Sequence, residues 1–402
     1  MIIFHIPSWY PSRFHPYSGI FIKEYIEGYA SQFPETLNII SNHVESYYPL
    51  SIKSPLESLK NVNEIFRQKT KRKIYFNRTA NLIEVLTPII WGISQTIFPF
   101  MKKKFLNIHE ANFECSIKKY GKPDLIHAYI SSPAGEMAYY LSKKFKIPYI
   151  ITEHMGPFVP QHMLVKGKLP GGMLTSILNA AAIISVSHAH SKQIKKFIKR
   201  PVQVIPNAVN ENLFYPENTV VQKTSPFTFL TVASTLHNSK GIHTLIKAIK
   251  ICNDKGLNAV YKIGGSVNFF ADAKLLADQN NIDNIIWFGM LSRQEVSRTM
   301  QECNAFVLPS MQESFGVVYA EAIATGKPII VTKCGGPEDI VNEINGLLVP
   351  VDDAEALSIA MQNMITNYHN YHPVSIRNDF LNRFSIKAVT SQYHKLYRDI
   401  IG

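Results

Sequence analysis

Short apolar runs and longer amphipathic stretches alternate along this chain, the mark of strands buried on both faces and joined by helices. In the first half the runs fall near Ile2 to Ile6, Leu37 to Ile40, Leu125 to His127, Tyr149 to Thr152, Ala182 to Val186 and Val202 to Ile205. In the second they fall near Thr228 to Val232, Ala259 to Ile263, Ile285 to Phe288, Ala305 to Leu308 and Pro328 to Val331. Between the two series lies IPNAVNENLFYP, Ile205 to Pro216, whose turn formers read as an interdomain linker. The pattern predicts an α/β protein of two Rossmann-like, doubly wound domains, residues 1–206 and 207–373, followed by a helical segment over 374–402.

Composition changes this picture only in places. At 402 residues with 46% apolar side chains the chain can bury two cores. Cys115, Cys252, Cys303 and Cys334 have neither a paired nor a metal-type spacing, so reduced thiols, no disulfide and no structural zinc are expected. The start, MIIFHIPSWYPS, enters a strand directly and lacks a secretory pattern, from which a cytoplasmic protein is expected.

The net charge of +12 is unevenly placed, with 26 Lys and Arg against 12 Asp and Glu in residues 1–200 and 16 against 18 in the remainder. The excess gathers between Lys53 and Lys122, at Lys69, Lys71, Arg72 and Lys73 and again at Lys102, Lys103 and Lys104. With no nucleic-acid motif in the chain, nucleic acid is not an expected partner. The apolar run Val85 to Met101, broken by Pro88, Gly92 and Pro99, is too short and interrupted for a transmembrane helix. Beside the lysines it suggests an anionic membrane surface as a partner, with peripheral attachment to the inner face of the plasma membrane.

The candidate chemistry centres on AFVLPSMQESFGVVYAEAIATGKPIIV. Ala305 to Leu308 reads as a strand and Val317 to Ala324 as a helix, which puts Glu313 in the turn between them and Glu321 on the helix, about two turns further on. Ser314, Phe315 and Gly316 bring backbone N–H groups to the helix N-terminus, where an anion such as a diphosphate is favoured. Two carboxylates flanking an anion site suit an elongated ligand, a nucleotide joined to a sugar. His127 and His154 each lie at or just past a strand end, at the edge where open α/β sheets bind ligands.

This segment resembles the retaining, nucleotide-sugar-dependent glycosyltransferases of family 4, which have the GT-B fold, two Rossmann-like domains facing a central cleft. The resemblance extends over nearly the whole chain. SWYPSRFHPYSGIFIKEYI is similar to the family's first strand, glycine loop and helix, with Gly19 beside the donor and Ser18 as helix N-cap. VASTLHNSKGIHTLIKAI is similar to the loop that clamps the donor diphosphate, with Lys240 as the clamp lysine. Ser234-Thr235 stands where the family carries Gly-Arg, so Thr235 offers a hydroxyl without charge and Arg293 is a candidate substitute.

By the same resemblance Glu313 contacts the donor sugar, Ser314 and the backbone of Phe315, Gly316 and Val317 the diphosphate, and Glu321 the ribose. Gly264 belongs to the nucleotide pocket, His154 lies by the transferred sugar and His127 on the acceptor side. Residues 1–206 then bind a glycan or lipid-linked acceptor, residues 207–373 the nucleotide-sugar donor, and 374–402 cross back to the first domain. The implied reaction is hexosyl transfer with retention, in the synthesis of a bacterial surface polysaccharide or lipid-linked glycan. With no Asp-x-Asp pair in the chain, neither metal nor cofactor is expected. A non-catalytic sugar-nucleotide-binding protein and a GT-B nucleotide-sugar epimerase are the alternatives.

Overall fold

The computed structural model describes residues 1–11, 17–47, 59, 73–76, 79–91, 98–217, 226–233, 238–265 and 270–402. Eight strands form the first sheet: β1 (Ile2–Pro7), β2 (Leu37–Tyr47), β3 (Lys73–Phe76), β4 (Leu82–Trp91), β5 (Leu125–Tyr129), β6 (Tyr149–Glu153), β7 (Ala182–Ser185) and β8 (Gln203–Val204). Their order is β3-β4-β2-β1-β5-β6-β7-β8, parallel throughout except for the β3–β4 pair. The second sheet holds β9 (Phe227–Val232), β10 (Ala259–Gly264), β11 (Ile285–Phe288), β12 (Ala305–Leu308), β13 (Ile329–Thr332) and β14 (Gly346–Val349), all parallel, in the order β11-β10-β9-β12-β13-β14.

Parallel neighbours require crossover connections, and helices supply them on both faces. In the first domain these are α1 (Ile20–Gln32), α2 (Phe98–Tyr120), α3 (Glu136–Phe145), α4 (Gly171–Asn179) and α5 (His188–Lys195). The second domain has α6 (Ile242–Asp254), α7 (Phe270–Gln279), α8 (Arg293–Gln301), α9 (Val317–Ala324) and α10 (Ala354–Thr366), and the chain ends in α11 (Pro373–Arg383) and α12 (Ile386–Ile401). Chain order reverses between β1 and β5 in one sheet and between β9 and β12 in the other. Open α/β sheets bind ligands at such switch points.

Several elements depart from the sequence reading. β2 runs to Tyr47, β8 is only two residues long, and β3, β4 and β14 were not expected. Residues 85–91 of the apolar run lie in strand β4, between β2 and β3, with Val85 only 1% exposed. That half of the run is therefore sheet rather than a surface anchor. Lys69, Lys71 and Arg72 and the side chains of Lys73, Lys102 and Lys104 lie outside the described residues. Among the described residues no helix is long and apolar enough to cross a membrane.

The C-terminal helix is part of the first domain's core. Val389, Tyr393, Leu396 and Tyr397 of α12 are buried in one cluster with Ile3, Ile22, Tyr25, Ile26, Tyr29 and Ile150, each worth roughly 2 kcal/mol in transfer free energy. The buried tyrosine hydroxyls of α12 are paired. Tyr397 hydroxyl shares hydrogen bonds with His127 Nδ1 (2.7 Å) and Tyr25 hydroxyl (2.8 Å). The other nitrogen of His127 meets Thr152 Oγ1 at 2.8 Å, and Thr152 meets Tyr393 hydroxyl at 3.0 Å. His5 is likewise buried and held by Tyr129 hydroxyl and Asn38.

Tyr397→Phe removes the partner of two buried groups and is expected to lower stability by about 1–3 kcal/mol in chemical denaturation. Burial pushes the His5 imidazole down to about 4, from an ordinary value of 6.5. Below pH 6.5 the unfolded chain takes up a proton that folded His5 refuses, so stability present above pH 6.5 is lost as pH falls towards 4, by about 3 kcal/mol at this site. The melting temperature should fall across that window, and His5→Gln should flatten the fall.

Candidate functional site

The loops following β1, β9 and β12 meet with the turn after β6 around a cavity of about 370 Å³ between the domains, within the size range of small-molecule sites. The first domain lines it with Trp9, Tyr17, Ile20, Phe21 and His154, and the second with Lys240, Gly265, Arg293, Glu313, Ser314 to Val318 and Glu321, among others.

Glu313 is fixed through its backbone. Its N–H donates to Cys334 O (3.1 Å) and its carbonyl accepts from Gly336 N (3.0 Å). The side chain lies in the cavity wall with Lys240 Nζ 2.6 Å from Oε1 and Ser310 Oγ donating to the same oxygen at 3.0 Å. Lys240 closes a 3-10 turn just before Gly241, the N-cap of α6. Gly241 has φ +64° and a Cβ there would lie 1.9 Å from Pro309 O, so only glycine lets the β9 and β12 loops approach this closely.

Gly316 caps α9 with φ +87° and no side chain bonds the helix's first N–H groups. Those of Phe315 to Val317 are therefore donors at the cavity wall. The Ser314 hydroxyl is already engaged, donating to His154 O at 2.9 Å across the cleft. His154 lines the same cavity, where neither ring nitrogen makes a hydrogen bond of ordinary geometry and the Asn207 side chain is its polar neighbour. Burial lowers its imidazole to about 3, so it is neutral and can both donate and accept.

Glu321 is buried and ion-paired to Arg293. Arg293 also grips Glu24 of α1 with Nε and Nη2, at 2.9–3.2 Å. A guanidinium already opposed by two carboxylates has no net positive charge to offer a diphosphate, so Arg293 does not replace the missing clamp arginine. Thr235 lies outside the described residues.

Three other expectations are corrected. His127 does not face an acceptor, since it is fully buried with both nitrogens bonded and its imidazole depressed by burial. Gly19 is required by its own loop, because at φ +65° a Cβ would lie 2.3 Å from Trp9 O, and it, not Ser18, caps α1. Gly264 ends β10 under Leu291, and its neighbour Gly265 lines the cavity instead.

The sequence reading passed over the groups that join the domains here. Buried Glu153 accepts from the N–H groups of Ser131, His154 and Met155 and so shapes the turn that carries His154. Ser187 Oγ donates to Ser314 O at 2.6 Å, and the N–H of His188 to Asp339 at 2.5 Å. A carboxylate ending a buried strand is a usable signal for Glu153. No sequence signal links Glu24 to Arg293, 269 positions away.

Residues 217–379 match the family of glycosyl transferases group 1, and residues 79–213 match glycosyltransferase family 4, together about three quarters of the chain. A putative teichuronic acid biosynthesis glycosyltransferase of Bacillus subtilis, TuaC, is 24% identical over 92% of this chain and 90% of its own. Sucrose-phosphate synthase of Thermosynechococcus elongatus superposes with a TM-score of 0.72 at 19% identity, over 100% of this chain and 99% of its own. Anabaena HepE, solved with UDP and glucose, superposes with a TM-score of 0.68 at 15% identity over 99% and 100%. Both solved structures share the two-domain architecture, and the chain belongs to the family 4 glycosyltransferases, with the GT-B fold.

Proposed function

We propose that the protein transfers a hexose-type unit from a nucleoside diphosphate sugar to a hydroxyl of a glycan or lipid-linked acceptor, with retention of anomeric configuration. The observation that carries this reading is the Lys240–Glu313 pair, set in the same interdomain cavity as the neutral imidazole of His154. The teichuronic acid relative and the HepE complex with UDP and glucose support the donor class and a role in surface polysaccharide synthesis.

In this reading the diphosphate lies against Lys240 and the N–H groups at the start of α9. Lys240 then exchanges part of its hold on Glu313 for phosphate oxygens and opposes the charge that develops as the nucleotide leaves. Glu313 stands by the sugar, where a carboxylate stabilises an oxocarbenium-like transition state. His154 bonds a sugar hydroxyl, and Glu321 takes the ribose. Turnover without a metal ion follows from Lys240 and the helix N-terminus opposing the phosphate charge. Lys240 and Arg293 are the cationic side chains lining the cavity among the described residues, and Arg293 is neutralised. Leaving-group stabilisation therefore rests on Lys240.

A thermal-shift series with UDP, GDP, ADP and their sugars tests the donor class. The right nucleotide at about one hundred times its dissociation constant adds about 2.7 kcal/mol of stability, and no response to any of them refutes the reading. Glu313→Gln is expected to cut transfer about 100- to 1,000-fold while keeping the nucleotide response. Lys240→Ala should weaken both, and EDTA should leave wild-type turnover unchanged.

A further inference from the structure

Arg293 sits where three parts of the chain meet. Its guanidinium bonds Glu24 of α1 in the first domain and Glu321 of α9 in the second, and lies 4.7 Å from the ring centre of Phe214 in the connector. All three ionised side chains are largely withdrawn from water, with 10%, 17% and 4% of the Glu24, Arg293 and Glu321 side chains exposed. The capping box of Ser292 and Glu295 fixes the start of α8, from which Arg293 projects.

The charge count is what needs a reason. One guanidinium and one carboxylate make a neutral buried pair, whereas a second carboxylate leaves an excess negative charge at a cost in desolvation. Burial indeed pushes the Glu24 carboxyl above its ordinary range, against the pull of Arg293. A group kept there at a cost is accounted for by what it positions. Arg293 takes Oε1 of Glu321, and Glu321 lines the cavity, so its second oxygen stays available to a ligand hydroxyl. Glu24 holds another edge of the same guanidinium, Nε and Nη2, from across the cleft.

We propose that Glu24 is an interdomain positioning residue. Through Arg293 it orients the Glu321 carboxylate at the nucleotide end of the cleft, so that closure of the first domain and tight binding of the nucleotide are one coupled equilibrium. The assignment of a nucleotide to Glu321 rests on the function proposed above; the closure itself does not. A nucleotide that bonds Glu321 stabilises the arrangement Arg293 requires to reach Glu24, and separation of the domains loosens Glu321.

Glu24→Gln tests this, because it leaves Arg293 and Glu321 as a neutral pair and the variant should melt within a few degrees of wild type. In the full-length protein, Glu24→Gln is expected to bind UDP, GDP or ADP, whichever wild type prefers, about tenfold more weakly. Its ligand-free radius of gyration in small-angle scattering should exceed that of wild type. Arg293→Lys, which keeps the charge but not the forked grip, should do the same. Because Glu24 acts through Arg293, adding Glu24→Gln to Arg293→Lys should cost no further affinity. A Glu24→Gln protein with the wild-type radius of gyration, or an undiminished loss of affinity in the Arg293→Lys background, overturns the proposal. If wild type binds no nucleoside diphosphate, the reading of the site falls instead, and the radius of gyration alone decides the role of Glu24.

Discussion

The structure depends on the two places where the chain passes between its domains being bound to each other. The connector and the junction of α11 with α12 pair through Val209 and Ser385, and Glu211 of the connector accepts from the N–H of Ile386 at the start of α12. Arg377 of α11 donates to the carbonyls of Glu211 and Phe214. Two adjacent crossings restrict the domains to rotation about one line, whereas a single crossing would let them swing freely. The returning helix α12 then supplies part of the first domain's core, so neither crossing can be released without exposing apolar surface.

The cleft inherits its geometry from this arrangement. The loops at the carboxyl ends of the central strands of both sheets are turned toward each other, and beside the buried Glu24–Arg293 pair the gap is closed by short polar contacts, Ser187 to Ser314, Ser314 to His154 and His188 to Asp339. Contacts of this kind are individually modest. They suit an interface that opens and closes, while the apolar attachment of α12 to α1 remains in place.

Much of the fold and part of the site were legible in the sequence, for a reason that also explains the failures. Buried parallel strands such as β12 and β13 are uninterrupted apolar runs between turn formers, and β12, the Glu313 turn and α9 are contiguous, so local pattern suffices. β4 was missed because Pro88 and the run beyond it made its apolar residues look like a surface segment, whereas pairing with β2 decides their fate. His127 was misplaced because a strand-end histidine looks the same whether it faces solvent or the underside of a helix from 270 positions away. Glu24 drew no notice and Arg293 was read as a phosphate clamp for the same reason. Long-range pairing leaves no trace in local pattern.

One consequence follows from the two glycines after β13. A Cβ at Gly336 would lie 2.4 Å from Phe315 Cα and Ser314 O, and one at Gly335 would lie 2.8 Å from Glu313 O. The backbone bearing Glu313 to Phe315 is thus wedged directly against another backbone, with no flexible side chain between them. Side chains acting as spacers can rearrange; main chain packed on main chain has nothing to rearrange. The loop therefore surrenders its conformational entropy when the protein folds rather than when a ligand arrives, and whatever binds there meets a surface already set.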